Sequence, residues 1–71
     1  MSDKHYAKYV EYITILLKEE KLPAEALEHN LQGNYQNYKE FHISGDLILI
    51  YLIEEGYLKL VRIGKHAQLF E

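Results

Sequence analysis

Length, composition and charge restrict the class of protein that this 71-residue chain can form. A chain of this size is expected to fold as one domain over residues 1–71, and 48% hydrophobic residues suffice for a thin core. The chain contains no cysteine, which excludes disulfides and thiolate metal sites. Its formal net charge of -3 argues against a general affinity for nucleic acid, because nucleic-acid binding usually requires a basic surface.

The sequence also lacks the features of a membrane or secreted protein. No apolar run reaches the roughly 20 residues of a membrane-spanning helix. The N-terminal segment MSDKHYAKYV has no apolar region of the kind found in a secretory signal. We therefore expect a cytoplasmic protein.

The N-terminal part of the chain has the periodicity of an amphipathic helix. From Asp3 to about Glu20, apolar residues recur at steps of three and four, namely Tyr6, Tyr9, Val10, Ile13, Leu16 and Leu17. Ser2 or Asp3 can cap this helix by accepting hydrogen bonds from backbone N–H groups. The helix should end before Pro23, and Pro23 suits the first turn of a second, short helix that runs through Leu27.

Residues 35–70 have the pattern of three short strands joined by tight turns. The first strand is predicted over about 35–43, the second over 47–53 and the third over 57–63. The second strand, LILIYLI, is apolar on both faces, as a central strand should be. The fold class predicted from these elements is α+β, with two N-terminal helices packed on one face of a three-stranded antiparallel sheet.

Four polar side chains lie near the ends of these predicted strands. His42 and Asp46 flank the first turn, while Arg62 and His66 lie at the end of the third strand. Histidine exchanges protons near neutral pH, and arginine presents a planar fork to phosphate oxygens. These residue types therefore suit acid/base chemistry on a phosphate. Judged by residue type alone, a sheet histidine, a turn-forming aspartate and a solvated arginine are the commoner interpretations.

Four segments of the chain have a characteristic order and spacing. They are His29-x-Leu31-x-Gly33, Tyr38-Lys39-Glu40-x-His42, Asp46, and Arg62-x-Gly64-x-His66-x-x-Leu69-Phe70. This pattern resembles the YafQ-type toxins of the RelE/ParE superfamily, which belong to bacterial type II toxin–antitoxin systems. The resemblance implies a RelE-like fold, truncated by loss of the family's N-terminal strand. It also implies a ribosome-dependent mRNA endonuclease of the bacterial cytoplasm that is silenced by a cognate antitoxin.

The resemblance further implies a role for each matched residue. The residues that match the family's acid/base groups are His29, His42, Asp46 and His66. Arg62 matches the arginine that contacts phosphate, and Lys65 and Phe70 are expected to help bind the substrate. Metal-free RNA cleavage needs a base, an acid and a cation.

We interpret His66 as the acid, His42 and Asp46 as the base side, and Arg62 as the phosphate ligand. His29 would relay protons. No cofactor is expected, and zinc is disfavoured because the spacing contains no close histidine pair and because Arg62 would place a cation beside the metal.

Two other functions are compatible with the sequence. A truncated, non-catalytic module could bind an antitoxin or self-associate, which the missing strand and the acidic charge favour. A related toxin could instead poison gyrase, although the complete histidine and arginine set favours RNA cleavage. A three-stranded sheet that lacks a family strand would leave an unpaired edge. We therefore expect the chain to form a homo-oligomer through the exposed sheet edge or the first helix, or to borrow a strand from a partner.

Overall fold

The computed structural model of the protein describes residues 2–31 and 37–65, which form one α-helix and a four-stranded antiparallel sheet. The elements in chain order are helix α1 (Asp3–Leu17), a 3₁₀ helix (Ala24–Ala26), and strands β1 (His29–Asn30), β2 (Lys39–Ser44), β3 (Leu47–Glu54) and β4 (Tyr57–Lys65). The strands lie side by side in the order β1-β2-β3-β4. The predicted α+β class is confirmed, whereas the predicted count of two helices and three strands is wrong.

Helix α1 is shorter than predicted, and the predicted second helix is a single 3₁₀ turn. Ser2 caps α1 as expected, because its hydroxyl accepts a hydrogen bond from the His5 N–H at 3.2 Å. The helix ends at Leu17, and Glu19 then adopts a positive φ of 59°, a left-handed conformation that is common just after helices. Leu27, at φ 50°, ends the 3₁₀ helix in the same way.

Strand β1 was not predicted from the sequence. His29 pairs with Glu40 and Asn30 pairs with Lys39, both on β2. The Leu31 N–H donates a hydrogen bond to the Tyr38 carbonyl at 2.9 Å, which continues the β1–β2 pairing one residue beyond Asn30. Two residues are too few to carry a period-2 pattern, so pairing with β2, rather than local sequence, makes this segment a strand.

The other strands follow the predicted pattern with shifted boundaries. Strand β2 begins at Lys39 instead of Tyr35, which lies outside the described residues. Strand β4 continues to Lys65, two residues beyond the predicted end at Ile63. The turn between β3 and β4 is formed by Glu55 and Gly56, at φ 52° and 81°. Two successive positive φ values are what a tight hairpin turn requires.

The sheet separates two apolar clusters. One face packs against α1, as predicted, and its buried residues from the sheet are Phe41, Ile43, Leu49 and Tyr51. The opposite face carries Ile48 and Ile50, which pack with Leu31 and Tyr38. Because side chains alternate along a strand, Glu40 and His42 of β2 lie on this second face. We call it the site face.

The helix contacts the sheet through a residue outside the predicted apolar stripe. Tyr12 is 1% exposed and meets Phe41 edge-to-face, with ring centroids 5.5 Å apart. Leu16 is buried as predicted, whereas Tyr6 and Val10 of the predicted stripe are exposed. The packed face of α1 is therefore rotated relative to the predicted one. Within residues 2–31 and 37–65, no helix has both the length and the apolar character that crossing a membrane requires.

Candidate active site

A buried carboxylate lies between two histidines on the site face. Glu40 of β2 is only 2% exposed. Its Oε1 atom lies 2.7 Å from Nε2 of His29 on β1 and 3.9 Å from Nε2 of His42 on β2. The two imidazole rings are 6.3 Å apart, measured between centroids. These three residues are called the histidine–glutamate cluster below.

The sheet register explains why these residues meet. His29 is directly opposite Glu40 in the β1–β2 pair, and paired residues of antiparallel strands project to the same face. His42 is two residues after Glu40 on β2, which returns it to the same face. One cross-strand pair and one step of the strand period thus assemble the cluster.

Backbone carbonyls set the orientation of both imidazole rings. Nδ1 of His29 lies 2.9 Å from the Leu27 carbonyl, and Nδ1 of His42 lies 3.1 Å from the Gly45 carbonyl. A carbonyl oxygen can only accept a hydrogen bond, so each Nδ1 carries a proton. The nitrogen of each ring that is left to gain or lose a proton is therefore Nε2, and both Nε2 atoms face Glu40.

The burial of Glu40 gives the cluster its electrostatic character. A carboxylate removed from water is costly unless a partner compensates its charge. Nε2 of His29 supplies that partner through Oε1, whereas Oε2 is buried and accepts no hydrogen bond from any described residue. A proton held between His29 and Glu40 either makes an ion pair or leaves both groups neutral. The shared proton can therefore lie on either residue without breaking the contact between them.

Asp46 is joined to the cluster through the turn that follows β2. It is exposed in the turn between β2 and β3, next to Gly45. Because the Gly45 carbonyl accepts the hydrogen bond from Nδ1 of His42, this turn and the His42 ring are fixed relative to each other. The predicted neighbours His42 and Asp46 thus share one local structure.

Arg62 lies in the same cross-strand row as the cluster. It pairs with Ile50, which pairs with Glu40, which pairs with His29, so the row crosses all four strands of the described sheet. At about 4.8 Å per strand, the backbones of Arg62 and Glu40 are roughly 10 Å apart. The exposed arginine side chain is long enough to reach a phosphate held between them.

Lys65 is placed differently by the same register. It pairs with Leu47, whose side chain packs against the helix-covered cluster, so the alternation assigns Lys65 to the face opposite Glu40. His66 and Phe70, the predicted acid and terminal aromatic, lie outside the described residues. The substrate contacts of Lys65 and Phe70 and the acid role of His66 remain predictions.

Glu40 is the member of the cluster for which the sequence predicted no role. The signal was present, because the alternation along residues 39–43 already put Glu40 and His42 on one face. What the sequence did not reveal was that β1 covers Glu40 and brings His29 against it. Within the described ranges, no group of three histidine, aspartate or glutamate side chains has the geometry of a metal site.

Comparison with known proteins supplies the family. A family model described as a bacterial toxin of type II toxin–antitoxin systems, YafQ, matches residues 1–71 of the chain. The chain belongs to the YafQ toxin family.

Individual relatives agree with this family assignment. The chain is 38% identical over 63 residues to the mRNA interferase toxin YafQ of Escherichia coli K12, which covers 86% of the chain and 68% of that protein. The crystal structure of the E. coli DinJ–YafQ complex matches with a TM-score of 0.85 and 34% identity. The match covers 97% of the present chain and 78% of the matched chain in the complex. The crystal structure of a copper-bound mutant toxin from Helicobacter pylori matches with a TM-score of 0.86 and 34% identity, covering 99% of the present chain and 76% of that toxin chain.

Proposed function

We propose that this YafQ family member is an mRNA interferase, an endoribonuclease that cleaves mRNA on the ribosome and so inhibits translation. The observation that carries the proposal is the histidine–glutamate cluster on the site face, with Arg62 in the same cross-strand row. The mRNA interferase YafQ of E. coli, 38% identical over 63 residues, supports the same activity. The proposed mechanism uses acid/base catalysis by side chains, with the 2′-OH of the RNA as nucleophile.

His42 is the side chain best placed to take the proton from the 2′-OH. Its Nε2 lies 3.9 Å from Glu40, too far for a hydrogen bond, so the lone pair is available to a substrate hydroxyl. The side chain is 20% exposed, which leaves it accessible from the site face. Once protonated, the ring faces the negative charge of Glu40 and is stabilised by it.

Glu40 and His29 complete the base side of the mechanism. Nε2 of His29 lies 2.7 Å from Oε1 of Glu40, close enough for a proton to pass between them, which suits the relay role expected for His29. Asp46 stands at the turn beyond His42, where it can orient the base or the attacking hydroxyl. Glu40 therefore acts as the charge that balances whichever imidazole is protonated.

Arg62 and residues at the C-terminal end supply the rest of the proposed mechanism. The Arg62 guanidinium would stabilise the charge that builds up on the phosphate oxygens in the transition state. His66 would protonate the 5′-oxygen that leaves, and Phe70 would hold the nucleotide. Lys65, which the register assigns to the opposite face, would contact the substrate only from the end of β4. A well-placed acid or base contributes a rate factor of about 10²–10⁴.

Two partners are proposed for the chain, the ribosome on the basis of the chain's own charge and an antitoxin on the basis of complexes formed by relatives. A protein with a net charge of -3 attracts free RNA weakly, so another component must present the mRNA. The ribosome is that component in our proposal. A cognate antitoxin is the second proposed partner, supported by the DinJ–YafQ complexes of E. coli, whose YafQ subunits share the fold of this chain.

The test compares cleavage of one mRNA with and without ribosomes, using the wild-type chain and His66→Ala. We expect cleavage only in the presence of ribosomes. His66→Ala should cleave more slowly by a factor of about 10²–10⁴ while its circular dichroism spectrum remains that of the wild type. Equal cleavage of free mRNA would contradict the role of the ribosome. A wild-type chain that binds an antitoxin and cleaves neither substrate would favour the non-catalytic module instead.

A further inference from the structure

The strand that carries His29 is held by few contacts of its own. Strand β1 has two residues, and the described part of the chain pairs it with β2 alone, through His29 and Asn30. Both of these residues are exposed. Because two residue pairs contribute little stability, a short edge strand of this kind needs a further attachment to keep its side chains in place.

That attachment comes from the opposite face of the sheet. The Tyr51 hydroxyl on β3 donates a hydrogen bond to Oε2 of Glu28, the residue just before His29. In the register Tyr51 lies opposite Lys39, and Lys39 lies opposite Asn30. The hydrogen bond therefore spans from the centre of the sheet, across β2, to the start of β1.

Tyr51 is a firm anchor for this hydrogen bond. It is 1% exposed and packs against Phe41, with ring centroids 5.8 Å apart. Glu28, Lys39 and Tyr51 all line one cavity of about 390 Å³, so the hydrogen bond, rather than close packing, holds the Glu28 side chain. The buried Tyr51 ring thus fixes Glu28, and with it the start of β1, relative to the apolar core.

We propose that Tyr51 is a positioning residue for His29, because its hydroxyl anchors Glu28 and so holds the adjacent imidazole against Glu40. Glu28 and His29 are consecutive, and their side chains project to opposite faces of the sheet. Glu28 is thereby fixed on the helix-covered face and His29 on the site face. The catalytic part of this proposal rests on the proposed function, whereas the anchoring of β1 does not.

The anchor is insensitive to pH over the range in which histidines exchange protons. Burial raises the pKa of the Tyr51 hydroxyl above its ordinary value of 10.0, and the hydrogen bond to Glu28 and the negative charge of Glu28 raise it further. The hydroxyl therefore remains a donor at neutral and mildly alkaline pH. The hydrogen bond from Tyr51 to Glu28 thus persists over that pH range.

The fold contains a matched control for this hydrogen bond. The Tyr12 hydroxyl donates to Oε1 of Glu25 at 3.2 Å, and Tyr12, like Tyr51, is 1% exposed. Glu25 belongs to the 3₁₀ helix and is four residues from His29. Tyr12→Phe and Tyr51→Phe thus each remove one buried hydroxyl and one tyrosine–glutamate hydrogen bond, but only Tyr51→Phe releases the residue next to His29.

The experiment measures amide exchange and cleavage in four variants of the full chain. They are Tyr51→Phe, Glu28→Ala, Glu28→Gln and Tyr12→Phe. The Leu31 N–H, which bonds to the Tyr38 carbonyl, reports the docking of β1. We expect this amide to exchange about tenfold faster in Tyr51→Phe and Glu28→Ala. Glu28→Gln should preserve the wild-type rate because its amide oxygen still accepts the tyrosine hydrogen bond, and Tyr12→Phe should not alter it.

Cleavage should follow the same pattern. We expect kcat to fall about tenfold in Tyr51→Phe and Glu28→Ala with KM unchanged, and the wild-type kcat to be retained in Glu28→Gln and Tyr12→Phe. Unchanged Leu31 exchange in Tyr51→Phe would overturn the proposal. Faster exchange without loss of kcat would overturn it as well, since β1 would then be anchored without effect on the chemistry.

A third readout separates this proposal from the proposed function. If the wild-type chain cleaves no RNA, the proposed function fails, and the ring nitrogen NMR signals of His29 decide the positioning role. A change in these signals in Tyr51→Phe, absent in Tyr12→Phe, would show that the hydroxyl sets the contact between His29 and Glu40. Identical His29 signals in wild type and Tyr51→Phe would overturn the proposal.

Discussion

Nε2 of His29 lies 2.7 Å from Oε1 of Glu40, a side chain that is 2% exposed. The two residues are a cross-strand pair of β1 and β2, so their contact depends on a two-residue strand at the edge of the described sheet. A buried carboxylate of this kind is destabilising unless it is compensated. Its position beside two histidines and in one row with Arg62 is the basis of the chemical role that we propose for it.

The first prediction concerns the charge of Glu40. Glu40→Gln retains the size of the side chain but removes the negative charge that balances a protonated imidazole. A hydrogen bond to a charged group is worth about 1.5–3 kcal/mol, which corresponds to a loss of kcat of about 10- to 100-fold. Steady-state cleavage measures this loss.

The matched control is Glu54→Gln, because Glu54 is exposed and pairs with Lys59 at 3.0 Å on the surface. Surface ion pairs contribute about 0–1 kcal/mol, so this variant should cleave at close to the wild-type rate. A Glu40→Gln variant that cleaves with the wild-type kcat would show that the buried charge is not used in catalysis.

The second prediction concerns His42. His42→Gln removes the proposed base, and cleavage should slow by a factor of about 10²–10⁴. The side chain is 20% exposed and lies outside both apolar clusters, so thermal unfolding should change little. His5→Gln is the control, since His5 lies on α1, away from the site face. Near-normal cleavage by His42→Gln would assign the base role to another group.

The third prediction concerns stability at alkaline pH. Burial raises the pKa of Tyr51 above 10.0, and burial likewise raises the pKa of Tyr12. In the unfolded chain both hydroxyls lose their protons near pH 10. Above that pH the folded protein binds more protons than the unfolded chain, so the free energy of unfolding falls as the pH rises, by at most about 1.4 kcal/mol per pH unit for each tyrosine.

Urea denaturation at about pH 8 and about pH 11 measures this decline. We expect a smaller decline in Tyr51→Phe than in wild type, and an unchanged decline in Tyr57→Phe, whose ring is 69% exposed. Parallel behaviour of Tyr51→Phe and wild type would contradict the assignment of the alkaline transition to the buried hydroxyl.

The fourth prediction concerns self-association through β4. This strand is at the edge of the described sheet, and its apolar residues Leu60, Val61 and Ile63 are 46%, 40% and 43% exposed. An apolar edge strand is a template for pairing with another chain. An antiparallel pair of β4 strands centred on Val61 places each cation of β4 opposite an uncharged residue, so charge does not oppose the pairing.

Light scattering at micromolar concentration should therefore detect a dimer, and Val61→Lys should convert it to a monomer. Leu17→Lys is the control, because Leu17 is 66% exposed at the end of α1, away from β4. A dimer that survives Val61→Lys and dissociates in Leu17→Lys would place the interface on the helix. A wild-type monomer would contradict self-association altogether.

Local sequence was sufficient to predict the central part of the fold. The run LILIYLI predicts β3 because an apolar segment between two turn sequences is typical of a central strand. Glycine in each turn allowed the two hairpins to be placed. The predicted second helix failed because Leu27 leaves the helical region after a single turn, and one turn is too short to be stable by itself.

The part of the site that was missed depends on tertiary pairing. Glutamate is rarely buried, so nothing local distinguishes Glu40 from an exposed strand residue. Its burial follows from β1, which local sequence could not predict because two residues carry no period. His29 was proposed only through the resemblance to the YafQ-type toxins. Because β1 was not predicted, the contact between His29 and Glu40 was not predicted either, although both residues belong to the segments that resemble the family.

The most direct test of the proposed chemistry is to replace the nucleophile in the substrate. A ribosome-bound mRNA with a single 2′-deoxynucleotide on the 5′ side of the cleavage site is incubated with the wild-type chain, and the products of the unmodified mRNA are analysed at their ends. Attack by the 2′-OH predicts a 2′,3′-cyclic phosphate and a 5′-hydroxyl on the normal products, and cleavage of the deoxy substrate reduced by at least about 100-fold. Efficient cleavage of the deoxy substrate, with 5′-phosphate ends, would contradict catalysis by the histidine–glutamate cluster through the 2′-OH.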